Sequence, residues 1–180
     1  MLPLMLLCLL LLPSFAQAQA PVIWSVVAST CTPDDTALPM LRINSHYVSV
    51  QPGALTSAPQ PLRVRCPIHL TGRWRVDALE ATVRDPDGQG RASRLLVDVK
   101  RLDPAIGGGV QPLHVAQLDT SRVLIGTGDQ PVGVMLFPTV LDFGQDTYWI
   151  EVSVLRTSAL VLPPRVYTIR LRGVPDFTLE

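Results

Sequence analysis

From residue 62 to residue 70 the side chains alternate so regularly that one conformation is dictated. Leu62, Val64, Cys66, Ile68 and Leu70 fall on one parity, and Arg63, Arg65 and His69 fall on the other. A period of two is that of a β-strand with one dry face and one wet face. Cys66 lies on the dry face, so a covalent bond there would bolt another segment into the core.

Near the start, residues 4–12 are almost entirely Leu and Met. Pro13 and Ser14 break the run, and Ala16-Gln17-Ala18 follows. A short apolar stretch closed by a small-x-small site is the pattern of a secretory signal peptide. The prediction is a leader over 1–18 and one mature domain over 19–180, secreted or periplasmic. The run is too short to span a bilayer, which takes about 20 apolar residues, and no later segment reads as transmembrane. No Lys or Arg precedes the apolar run. Bulky Leu7 before Cys8 excludes a lipoprotein site.

Without the leader the chain keeps two of its three cysteines, Cys31 and Cys66. An even pair in an oxidising compartment predicts a disulfide. The two are 35 positions apart, and closing such a loop contributes roughly 3–4 kcal/mol on a chain-entropy estimate. Two cysteines and scattered histidines give no metal-ligand spacing, so neither metal nor cofactor is expected.

Lys+Arg and Asp+Glu are both 15. A nucleic-acid binder usually carries a basic excess or stripe, so no nucleic-acid partner is expected.

Apolar runs and turn signals alternate along the mature chain. Residues 22–28, 47–51, 74–84, 94–102, 111–118, 148–155 and 167–172 read as further strands. In 74–84, Trp74 and Val76 share one parity, while Leu79, Ala81 and Val83 share the other. That change of phase near Ala78 predicts a β-bulge. Asp85-Pro86-Asp87-Gly88 suits a type I turn, predicting a hairpin between 74–84 and 94–102. A calcium loop starting at Asp85 would need an acid at its twelfth position, which is Leu96, so the plain turn is preferred. Gly107-Gly108-Gly109 lacks a following Gly-Lys-Ser/Thr and reads as a flexible turn. Residues 119–134 are the least regular.

The cleanest alternation lies in 148–155. Tyr148, Ile150, Val152 and Val154 should face a second sheet, and Trp149, Glu151, Ser153 and Leu155 should face away. Glu151→Ala would then change stability by about 0.5 kcal/mol or less. In the last strand Tyr167, Ile169 and Leu171 oppose Thr168, Arg170 and Arg172. No stretch has a 3.6-residue period. Eight to ten short strands predict an all-β, single-domain antiparallel β-sandwich, jelly-roll-like, with one disulfide.

Cys31-Thr32-Pro33-Asp34, Cys66-Pro67-Ile68, Asp85-Pro86-Asp87-Gly88-Gln89-Gly90, Leu141-Asp142-Phe143 and Tyr148-Trp149-Ile150-Glu151-Val152 form a set. The set resembles a group of short exported bacterial β-sandwich proteins of unknown function. The resemblance implies an exported β fold and brings no activity, ligand or functional residue with it.

No catalytic motif is present. His46, His69 and His114 are scattered, and no Gly-x-Ser-x-Gly elbow occurs. A structural or interaction module of the bacterial envelope or exterior, not an enzyme, is expected, with a surface glycan or a protein as partner. The alternative is a carbohydrate-binding module with Trp149 as a flat platform. A further alternative is a fimbrial-type surface subunit that donates the Val22, Trp24, Val26 strand to another copy.

Overall fold

The computed structural model describes residues 19–57, 60–103, 111–123 and 126–177. The leader expected over 1–18 and the triple glycine fall outside these residues. Among the described residues no helix is long and apolar enough to cross a membrane.

The described residues form eleven strands: β1 (Val22–Val27), β2 (Thr32–Pro33), β3 (Leu41–Ile43), β4 (Val48–Val50), β5 (Leu62–Pro67), β6 (Arg73–Arg84), β7 (Ser93–Asp103), β8 (Gln111–Asp119), β9 (Asp129–Asp142), β10 (Tyr148–Arg156) and β11 (Arg165–Pro175). A single turn of helix, α1 (Thr120–Val123), follows β8. The expected eight to ten strands become eleven through short pieces such as β2 and β3. The five-stranded sheet runs β2-β5-β10-β7-β8. The six-stranded sheet runs β3-β4-β11-β6-β9, with β1 also on β11. Every strand pair is antiparallel, so the chain is an antiparallel β-sandwich, as the alternation predicts.

Each sheet turns its apolar parity inward. Val64 and Cys66 of β5, Ile150, Val152 and Val154 of β10, and Val97 of β7 are fully buried. Leu79 and Val83 of β6 and Ile169 and Leu171 of β11 are equally buried in the other sheet. Burying one such side chain contributes about 1.5–3 kcal/mol, which is why the dry parity decides the register. Cys31 is bonded to Cys66. It sits just before β2, whose Thr32 pairs with Arg65. The disulfide thus fixes the point where the chain leaves β1 in one sheet and enters the other.

The bulge predicted near Ala78 is present: the β6–β9 register shifts between Val76 and Ala78. The turn at Asp85 also forms. The Gly88 N–H donates to the Asp85 carbonyl at 3.0 Å, and Gly88 takes the left-handed φ of 61° that favours glycine. The predicted hairpin does not form. β6 pairs with β9 and β11, whereas β7 pairs with β10 and β8. The turn carries the chain from one sheet to the other, because both strands have long apolar faces that are satisfied only across the core.

Two further readings are corrected. Within 119–134 the described residues hold α1 and the start of the 14-residue edge strand β9. Pro131 and Gly133, which masked it, are tolerated because an edge strand leaves one row of backbone groups unpaired. Tyr167 does not share the inner face of Ile169. The β11–β6 register shifts between Val166 and Thr168, which puts Val166 inside and turns the Tyr167 hydroxyl to Asp129 at 2.9 Å.

Candidate functional site

The outer face of the five-stranded sheet is built from the polar parities of its strands. Strand pairing sets them in rows. One row is Pro67, Trp149, Lys100 and His114. The next is Arg65, Glu151, Asp98 and Gln117. Each row crosses three strand spacings, about 14 Å.

The expectation that β10 has one wet face is overturned. Glu151, Ser153 and Leu155 are about as buried as the inward parity, at 5%, 4% and 5% exposure. Glu151 is covered by the face's own side chains. Lys100 Nζ donates to Glu151 Oε1 at 2.6 Å. Arg63 Nε lies 3.5 Å from the same oxygen, and Arg65 Nε lies 3.5 Å from Oε2. Asp98 Oδ1 accepts from Gln117 Nε2 at 2.8 Å and lies 3.5 Å from His114 Nδ1. Long cationic side chains lie along the sheet and close over the acids between them. Asp119, at the end of β8, is gripped by Arg94 and Arg122. Burial alone would raise its carboxyl, but the hydrogen bonds from Arg94 and Ser121 and the Arg94 charge together outweigh that and hold it below the usual value.

Trp149 stands among these paired charges as a half-exposed ring. Its indole Nε1 is buried and finds no hydrogen-bond partner. What Trp149 offers outward is therefore ring surface, with exposed Pro67 and His114 in its row and exposed Arg65 and Gln117 in the next.

Asp85 and Asp87 form the self-contained turn that the sequence favoured over a calcium loop. Asp85 is fully buried, and its Oδ2 accepts from the Thr120 hydroxyl at 2.6 Å. Asp87 Oδ2 accepts from the Ala92 and Ser93 amides. Among the described residues no group of three or more His, Cys, Asp or Glu could hold a metal ion. His46, His69 and His114 are exposed on three different segments.

Of this face, only Trp149 was singled out from sequence. Lys100, Asp98 and Glu151 were missed because isolated charges on a strand look solvated until the pairing is known. One signal was available: the chain's single lysine lies on β7, on the polar parity opposite Leu95, Val97 and Val99.

Neither a protein-family model nor a curated protein matches the sequence. Solved structures similar to this chain include a carbohydrate-binding module, CBM36, in complex with calcium and xylotriose. It shows 12% identity and a TM-score of 0.42 over 83% of this chain and 99% of that one. The CBM22-1 xylan-binding domain from Paenibacillus barcinonensis Xyn10C shows 12% identity and a TM-score of 0.37 over 88% and 97%. A family two carbohydrate esterase from Cellvibrio japonicus shows 11% identity and a TM-score of 0.38 over 87% of this chain and 36% of that one. At these scores the likeness carries neither ligand nor activity across.

Proposed function

We propose that the protein is an exported, non-catalytic interaction module that binds a neutral saccharide chain across the outer face of its five-stranded sheet. The observation that carries this is the half-exposed Trp149 ring set in a flat field of charges already paired with one another. A sugar presents a C–H face and a rim of hydroxyls. The ring suits the first, and His114, Gln117 and Arg65 suit the second. A neutral ligand need not break the ion pairs beneath it.

Glu151 and Asp98 are committed to Lys100 and Gln117 at 2.6 and 2.8 Å. That favours binding over two-carboxylate hydrolysis, which needs one free acid and one free base or nucleophile. The Cys31–Cys66 disulfide suits an oxidising compartment. β1 spends its edge on β11 of the same chain, which favours a self-contained module over a strand-donating subunit.

Native electrophoresis through gels cast with soluble neutral polysaccharides tests the reading. The protein should be retarded in at least one gel, and Trp149→Ala should run freely there. Unretarded migration in every gel, or equal retardation of the variant, would refute it.

A further inference from the structure

A concave site lies at one end of the sandwich, where β3, β4 and the start of β11 meet the close of β6 and the last residue of β10. The cleft encloses about 280 Å³, near the lower end of the roughly 300–1,000 Å³ usual for small-molecule sites. Four arginines line it, Arg42, Arg84, Arg156 and Arg165, and no carboxylate does. Its walls are otherwise largely apolar, with Val50, Pro52, Leu162 and Pro163 among them.

The four guanidinium groups are not equivalent. Arg156 is held by the carbonyls of Ala54, Ala159 and Val161 at 2.8–3.1 Å, which fix it without cancelling its charge. Arg165 lies over the Tyr47 ring, 4.7 Å from its centroid. Tyr167 meets Tyr47 edge-on at 5.7 Å. Arg84 Nε is 3.0 Å from Asp129 Oδ1, an oxygen that also accepts from the Tyr167 hydroxyl. The nearby carboxylates of Asp85 and Asp87 are turned to Thr120 and to the Ala92 and Ser93 amides. Arg42 is exposed and has no side-chain partner among the described residues.

Among the described residues one acid, Asp129, meets this group of four arginines, at Arg84 and Arg165. Such an excess around apolar walls is complementary to an anion that carries its own apolar body. We propose that this cleft binds a small carboxylic acid with a compact apolar ring or chain. Arginine presents a planar fork of donors matched to a carboxylate, and the unpartnered Arg42 supplies it. The Val50, Pro52 and Pro163 walls take the body. The site is distinct from Trp149, which is near the start of β10, whereas Arg156, the last residue of that strand, lines the cleft.

The test is a titration of the 15N-labelled protein at constant ionic strength with three probes: benzoate, benzyl alcohol and acetate. Benzoate carries both features, benzyl alcohol lacks the charge, and acetate lacks the body. Benzoate should shift the amides of Tyr47, Ser49, Val50 and Gly53 saturably. The other two probes should bind at least about tenfold more weakly, a difference of about 1.4 kcal/mol. Arg42→Glu should abolish the benzoate response and Arg42→Lys should keep part of it. Both variants should melt as the parent does, because the side chain is exposed and unpartnered. No response to benzoate, an equal response to either control probe, or an undiminished response in Arg42→Glu would overturn the proposal.

Discussion

Lys100 Nζ stands 2.6 Å from Glu151 Oε1 on the outer face of the sandwich, with the two side chains 10% and 7% exposed. A buried pair of this kind contributes little net stability against an apolar alternative, but losing one partner leaves a stranded charge. Glu151→Ala should therefore cost about 3–5 kcal/mol. That is comparable with the roughly 2–5 kcal/mol expected for Ile150→Ala on the inward face. The double variant Lys100→Met, Glu151→Leu should be less damaging than Glu151→Ala alone. Urea unfolding measures all three. A loss below about 0.5 kcal/mol for Glu151→Ala, the usual figure for a solvated surface residue, would show that the pair is not buried in solution.

The Cys31–Cys66 bond closes a loop of 35 positions. Reduction, or the double variant Cys31→Ala, Cys66→Ala, should lower stability by about 3–4 kcal/mol. Thiol labelling of the unreduced mature protein should find no free cysteine. Two labelled thiols would contradict the assignment.

Burial raises the Asp85 carboxyl above its ordinary value of 3.8, against the hydrogen bond from Thr120. Between the unfolded and folded pKa values the native state holds more protons than the unfolded chain. The stabilising contribution is full below 3.8 and is lost as pH rises through the folded pKa. Asp85→Asn cannot ionise, so its stability should be flatter across that window. Asp119, held below its ordinary value, has the opposite sign: its contribution is present above 3.8 and lost as pH falls through the folded pKa. Urea midpoints followed across the acid range separate the two. An Asp85→Asn profile that overlays the parent's would contradict the buried state of Asp85.

Gly173 sits where the β11–β6 register shifts, and a Cβ there would overlap the Arg75 carbonyl oxygen. The obstacle is backbone and cannot swing aside, so Gly173→Ala should cost about 1–3 kcal/mol as overpacking. A melting temperature equal to the parent's would show that the close approach is absent.

The inward parity of β5 and β10 and the Ala78 bulge were legible because a period of two reports directly which side chains face the second sheet. The partner of a strand is not written in that period. The Asp85 turn was read correctly as a turn and wrongly as a hairpin, since turn chemistry fixes local geometry and not which sheet the next strand joins. Tyr167 was assigned inward because a one-residue shift at Val166 leaves no mark in the sequence. Glu151 was taken as solvated because its cover, Arg63, Arg65 and Lys100, comes from strands far apart in the chain.

The recognition surface is tested most directly by a glycan array probed with the parent, Trp149→Ala and His114→Ala, each first checked for an unchanged far-ultraviolet signature of the fold. The parent should bind one class of neutral glycan. Trp149→Ala should lose that binding, and His114→Ala, altered only at an exposed edge of the same row, should weaken it. Binding that survives Trp149→Ala unchanged, or a parent that binds no glycan, would contradict the account.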